Sequence, residues 1–132
     1  MSGPADILAI LRGMNRTKKV PLHRDDDHEL LGFIIDDGNS WQAVTIFGYQ
    51  ISRTETKQQA EDILKEKGLS FLMGIWQYFD TDDRDWFPCV LKEVYEHKVV
   101  VNRTNELGYQ DPEDYKQVLI ENPTENNLIK SS

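Results

Sequence analysis

One pattern occurs twice in this chain and constrains its fold more than any other feature. A glycine near the start is followed by an apolar run, an acidic turn and a tryptophan. The two copies are LLGFIIDDGNSW, residues 30–41, and LMGIWQYFDTDDRDW, residues 72–86. Apolar runs rich in β-branched and aromatic residues, interrupted by polar turn residues, are typical of strands that fold back on each other. The repeat therefore predicts two β-hairpins.

The segment between the two copies predicts a helix. Thr56 is suited to cap its start, Gln59 stands at the matching capping-box position, and Gly68 is suited to end it. The apolar residues of its buried side are Ala60, Ile63 and Leu64.

The whole order of elements predicts an α+β protein with a mainly antiparallel sheet. Two hairpin units are joined by that helix, and the apolar spacing of residues 7–14 predicts a short N-terminal helix. A strand is expected over residues 17–22, another over 71–79 and a last one over 115–121. The sequence leaves open whether the two halves share one sheet.

The length of 132 residues fits one domain with its own core. We expect residues 1–18 to form the N-terminal helix and a basic arm, and residues 19–122 to form a single α+β domain. Within that domain, residues 19–68 contain the first hairpin unit and the helix, and residues 69–122 contain the second unit. Residues 123–132 are predicted to be a polar, frayed tail.

The net charge of −8 is unevenly distributed. Residues 1–24 carry five basic side chains against one acidic, a net charge of +4, and residues 25–132 carry −12. An acidic body repels phosphate, so nucleic-acid binding is not expected. The basic segment either folds back on the acidic body or binds an anionic partner. The apolar side of the N-terminal helix packs on its own domain, on a partner, or on a second copy, which would make a homodimer.

Localisation follows from two absences in the sequence. No apolar run approaches the length of a membrane span, and the first residues lack the pattern of a signal peptide. A single cysteine, Cys89, agrees with a reducing compartment. We therefore expect a cytoplasmic protein with no membrane partner.

No motif for a metal, a cofactor or catalysis is complete. The run Asp80–Asp85 is similar to a calcium loop, but Asp85 and Leu91 stand where glycine and glutamate are needed. Cys89, the only thiol, and His97, at the adjoining turn, are the candidates for a thiol–imidazole dyad, but Cys89 lies in an apolar strand where a buried role is favoured. We expect no metal, no cofactor and no catalytic residue, so the chain is predicted not to be an enzyme.

Aromatic residues are concentrated in the second half of the chain. The candidate binding residues are Trp76, Tyr78, Trp86, Phe87 and Tyr109. Residues 71–120 resemble an SH3-like or Tudor-like small barrel in the segments DDRDWFPCV (82–90), KEV (92–94) and VVV (99–101). The resemblance implies a partner-binding groove lined by aromatic rings and, in methyl-lysine readers, a cage of rings around a cation. The alternative is that most of these rings form the core.

A second resemblance covers residues 30–68. The stretch WQAV (41–44), followed by Gly48, Thr54 and Ala60, is similar to the strand–strand–strand–helix unit of HicB-type antitoxins. That family implies inhibitory binding to a toxin.

Two functions of different classes follow from these observations. The first is a non-enzymatic protein-interaction module or adaptor anchored by Trp76, Tyr78 and Trp86. Under this hypothesis, we expect Trp76→Ala to abolish partner capture and to leave the fold largely intact. Unfolding of this variant would assign Trp76 to the core. The alternative is an acidic inhibitor (an antitoxin, an immunity protein or a nucleic-acid mimic) that binds a basic target through residues 25–27, 36–37 and 80–85.

Overall fold

The computed structural model describes residues 18–110, 112–113 and 115–131. The chain divides into two compact units, residues 1–69 and residues 70–132. This boundary lies one residue from the predicted division between the two hairpin units. The predicted N-terminal helix and most of the basic arm lie outside the described residues.

In its described part, residues 18–69, the first unit is a four-stranded antiparallel sheet with one helix. Its strands pair in the order β1-β2-β3-β4, so β1 and β4 are the edges. The elements are β1 (Lys18–His23), β2 (Leu30–Asp36), β3 (Trp41–Val44), β4 (Gln50–Thr54) and the helix α1 (Lys57–Lys67). The edge strand expected over residues 17–22 is confirmed as β1.

Helix α1 begins and ends where the sequence predicts. The Thr56 hydroxyl accepts a hydrogen bond from the Gln59 N–H at 3.1 Å, and the Gln59 side chain accepts one from the Thr56 N–H at 3.1 Å. This is the reciprocal capping box. A side chain at Gly68 would put its Cβ 2.6 Å from the Leu64 carbonyl oxygen and 2.8 Å from that of Leu31. Glycine is required there because the backbones approach so closely.

The core of the first unit lies between α1 and the sheet. Ala60 and Leu64 pack against Ile34 of β2 and Ala43 of β3, with Ile63 and Trp41 at the margin. The predicted helix side of Ala60, Ile63 and Leu64 is thereby confirmed.

Gly32 explains why the repeated pattern contains glycine in its first copy. Its φ of +150° lies outside the range that other residues readily adopt, and a Cβ would collide with the Val44 carbonyl oxygen.

The second unit contains a five-stranded antiparallel sheet. The strands pair in the order β8-β7-β6-β5-β9. A 3₁₀ helix (Ser70–Leu72) precedes β5 (Trp76–Asp80), β6 (Asp85–Val94), β7 (Lys98–Arg103), β8 (Gln117–Glu121) and β9 (Leu128–Lys130). The fold is thus α+β with two separate open sheets.

Both predicted hairpins are present with the same loop length. Asp36 pairs with Trp41 across the first turn, and Asp80 pairs with Asp85 across the second. Each turn therefore contains four residues between the paired strands.

Two predicted boundaries in the second unit are wrong. The strand expected from residue 71 starts at Trp76, because residues 70–72 form the 3₁₀ helix and Gly74 has a φ of +87°. The tail expected to fray contains β9, where Leu128 is fully buried. Its backbone pairs with β5, and the Lys130 ammonium group lies 4.9 Å from the Phe71 ring centroid.

Candidate interaction surface

The strand register of the second unit assigns its side chains to two faces. Directly paired residues lie on the same face of a sheet. Trp76 pairs with Cys89, which pairs with Arg103, and Tyr78 pairs with Phe87. We call the side that carries these residues the inner face. Trp76, Tyr78 and Cys89 have no exposed surface.

A buried polar network occupies one end of the inner face. Arg103 donates from Nε to the Tyr78 hydroxyl at 2.8 Å and from Nη2 to Asp80 Oδ2 at 2.9 Å and Asp83 Oδ2 at 3.1 Å. Lys116 Nζ donates to Asp80 Oδ2 at 2.7 Å. The Arg103 guanidinium carbon also lies 3.7 Å from the Phe87 ring centroid. Only 8% of the Arg103 side chain and 3% of the Asp80 side chain are exposed.

This network fixes the second hairpin turn. Asp80 Oδ1 accepts hydrogen bonds from the backbone N–H groups of Asp82 at 2.8 Å and Asp83 at 3.0 Å. Burial alone would raise the pKa of Asp80, but hydrogen bonds from Lys116 and these two N–H groups outweigh it and hold the pKa well below its usual range. Both oxygens are engaged by the protein itself, so the arrangement stabilises the turn.

The other predicted acidic runs also contain carboxylates that are engaged within the first unit. Asp37 accepts hydrogen bonds from the backbone N–H groups of Asn39 at 3.0 Å and Ser40 at 2.7 Å, and from Arg53 Nη1 at 2.6 Å. Arg24 donates to Asp27 at 2.8 Å, which lowers the Asp27 pKa to about 2. Several carboxylates assigned to a basic target in the acidic-inhibitor hypothesis therefore already have partners.

The structure separates the two residues of the candidate dyad. Cys89 is buried between Trp76 and Arg103, and this burial raises the pKa of its thiol to about 12. His97 lies beyond the end of β6 and its side chain is 77% exposed. Five strand residues alone span about 17 Å, so the pair cannot share a proton.

The described residues contain neither a metal-binding cluster nor a membrane-spanning helix. Among residues 18–110, 112–113 and 115–131, no group of three His, Cys, Asp or Glu side chains is arranged to hold a metal ion. Within the same part of the chain, no helix is both long and apolar enough to cross a membrane.

The five predicted binding residues divide by exposure. Trp76 and Tyr78 are fully buried on the inner face, and Phe87 lies half-buried beneath Arg103. For these three rings the structure favours the alternative that they form the core. Trp86 and Tyr109 are exposed.

The opposite face of the same sheet carries an exposed apolar cluster. Phe79 pairs with Trp86, and their rings meet edge to face with centroids 5.7 Å apart. Two residues before Phe79 on β5, Gln77 pairs with Pro88 of β6 on one side and with Ile129 of β9 on the other. Trp86 is 37% exposed and Ile129 38%. We call Phe79, Trp86, Pro88 and Ile129 the outer patch.

A loop with further exposed apolar residues lies near the start of β5. A Cβ placed on Gly108 would lie 3.3 Å from Cγ1 of Ile75, the residue before β5, so the loop backbone lies against the Ile75 side chain. Leu107 and Tyr109 flank Gly108, and both are largely exposed. All the large apolar side chains that are exposed among the described residues lie in the second unit: Met73, Trp86, Tyr95, Leu107, Tyr109, Tyr115, Leu119 and Ile129.

Sequence reasoning found Trp86 and Tyr109 but missed Phe79 and Ile129 as members of a surface. Alternation along β5 places Phe79 on the face of the sheet opposite to that of Tyr78, and this alternation can be read from the sequence. No sequence signal places Ile129 beside Gln77, because that pairing joins strands nearly fifty residues apart.

Comparison of the chain with protein-family models, with curated proteins and with solved structures gave no match. The class of protein is therefore defined by the fold alone, as α+β with two antiparallel sheets.

Proposed function

We propose that this chain is a non-enzymatic, cytoplasmic protein-interaction module that binds a protein partner through the outer patch. The observation that carries the proposal is the pair of exposed Trp86 and half-buried Phe79 on the face opposite the buried Trp76 and Tyr78. A small sheet needs one apolar face for its core. A second face with exposed aromatic and aliphatic side chains is typical of a surface that another protein covers.

Trp86 is the anchor expected to contribute most to the binding energy. Tryptophan offers a large contact area with few rotors to freeze, and such residues dominate many interfaces. The edge-to-face contact with Phe79 holds the ring in place before binding, which lowers the entropic cost of association.

The resemblance to SH3-like barrels remains part of the proposal. It is supported by the five antiparallel strands of the second unit. A methyl-lysine cage is not proposed, because the rings of Tyr78 and Phe87 already face the Arg103 guanidinium. The chain's own cation fills the position that a cage would offer to a ligand.

The test compares two single variants in affinity capture from an extract of the native host, with captured proteins quantified by mass spectrometry. Trp86→Ala is expected to lose the specific partner, since an anchor of this type contributes about 2 kcal/mol or more, a loss of roughly thirtyfold in affinity. Tyr95→Ala is the matched control, because Tyr95 is an exposed aromatic residue at the β6–β7 turn, away from the outer patch. It is expected to retain the partner.

A partner retained by Trp86→Ala would refute the outer patch as the binding surface. Capture that disappears for the wild type between low and high salt would instead favour the acidic-inhibitor alternative, since exposed charges are screened and apolar contacts are not. Trp76→Ala removes a fully buried ring and is now expected to cost about 3–5 kcal/mol of stability.

A further inference from the structure

The free edge of the first sheet adjoins a groove. Strand β4 pairs with β3 on one side, and in the described part of the chain no strand pairs with its other side. Every second N–H and C=O group of such an edge strand points away from the sheet and is available to another strand. The groove beside β4 has a volume of about 650 Å³ and is lined by Ser40, Arg53, Thr54, Glu55, Gln59, Asp62 and Ile63.

The lining residues place the groove between the end of β4 and the helix. Arg53 and Thr54 are consecutive in β4, so their side chains point to opposite faces of the sheet. A cavity that contacts both is not confined to one face, and Ser40, next to the start of β3, places it around the end of β4. Gln59, Asp62 and Ile63 are spaced i, i+3 and i+4, which places them on one side of α1.

The charges of the groove favour a cationic occupant. Arg53 is the one basic residue of the lining, and its guanidinium is held by Asp37 at 2.6 Å. Glu55 and Asp62 are exposed carboxylates on the wall, and half-buried Ile63 supplies an apolar surface between strand and helix. An extended segment with alternating apolar and basic side chains would match this distribution.

We propose that an extended, basic peptide segment of a partner protein adds to β4 as a fifth strand and lies in the groove against α1. Backbone hydrogen bonds to the β4 edge would provide the affinity, and pockets for alternate side chains would provide the specificity. The side chains of the added strand alternate between its two faces, so those that point toward α1 meet Ile63 and Asp62 together. A lysine or arginine on that face packs its methylene groups on Ile63 and places its charge near Asp62. This site uses the first unit and is independent of the outer patch of the second.

The probe is a fluorescein-labelled hexapeptide of alternating lysine and valine, about as long as β4. Its binding to the full chain is measured by fluorescence anisotropy. Two analogues carry N-methyl groups, one on the lysines and the other on the valines, so that each blocks the N–H groups on one edge of the peptide. Strand addition predicts that one analogue loses about tenfold in affinity and the other keeps its affinity. Replacing the lysines of the hexapeptide by glutamate is also expected to reduce its affinity about tenfold.

Matched charge reversals on α1 complete the test. Asp62→Lys changes a carboxylate that lines the groove, and Glu66→Lys makes the same change at an exposed helix position outside the lining. Asp62→Lys is expected to reduce the affinity for the hexapeptide about fivefold, and Glu66→Lys is expected to reduce it by less than about twofold. The proposal is overturned if the hexapeptide does not bind, if both N-methyl analogues bind alike, or if the two reversals have the same effect.

Discussion

At the scale of single residues, the most informative side chain is Arg103. It is a charged residue in the interior of a small unit, held by Tyr78, Asp80 and Asp83 and stacked over Phe87. A buried charge is tolerated only when it is paired and hydrogen-bonded. The network therefore explains how the second hairpin turn keeps one conformation despite its high density of carboxylates.

Arg103→Met is expected to destabilise the chain by about 3–5 kcal/mol, because it leaves Asp80 buried with only Lys116 as its cationic partner. The measurement is urea unfolding followed by near-ultraviolet circular dichroism. Lys92→Met is the matched control, since it replaces an exposed cation of β6 by the same side chain and is expected to change stability by less than about 0.5 kcal/mol. Equal unfolding curves for the two variants would show that the network contributes nothing.

At the scale of elements, the two copies of the repeated pattern form the same hairpin but place their tryptophans in different surroundings. Trp41 packs at the margin of the core beneath α1, whereas Trp86 lies on the outer patch. The two tryptophans stand one residue apart in register, since Trp41 pairs with Asp36 beside its turn whereas Trp86 pairs with Phe79, one residue beyond the corresponding Asp80–Asp85 pair. A shift of one residue moves a side chain to the other face of a sheet.

Removal of residues 124–132 is expected to destabilise the second unit by about 2–5 kcal/mol, because fully buried Leu128 and the backbone pairing with β5 are lost. Amide hydrogen exchange of β5 and β6 measures the effect. Leu128→Ala in the full chain separates the side-chain contribution from the pairing. A frayed tail, the expectation from sequence, would instead leave exchange unchanged after the deletion.

At the scale of the whole molecule, both units depend on a carboxylate in a hairpin turn. Hydrogen bonds lower the pKa of Asp37, with the largest effect from the Gln42 side chain and smaller effects from the N–H groups of Asn39 and Ser40. The pKa of Asp80 is lowered by its own hydrogen-bond network. A folded-state pKa below the unfolded value of about 3.9 gives stability that is present above that pH and lost as the pH falls. Acid is therefore expected to weaken both units.

The urea midpoint of the wild type is expected to be nearly constant between about pH 5 and 7 and to fall steadily below about pH 4. Amide exchange measured over the same pH range assigns the loss to each unit. Asp37→Asn should be less stable than the wild type at pH 6. The amide exchange of β2 and β3 should depend less on pH in this variant than in the wild type. A midpoint that stays constant down to pH 2 would contradict the lowered pKa values.

The sequence was sufficient for the local features of this protein. Both hairpins, the capping box of α1 and the α+β class follow from residues close together in the chain, such as Thr56 and Gln59 or Asp36 and Trp41. Turn and cap chemistry is decided by neighbours within a few residues, so it is legible in the sequence.

Only the tertiary structure decided which aromatic side chains are available to a partner. Trp76 and Trp86 look equivalent in sequence, yet one is buried and the other is exposed. The burial of Arg103 and the pairing of β9 with β5 likewise join residues far apart in the chain. The physical reason is that burial depends on which face of a strand another element covers, and a strand's own sequence does not specify that element.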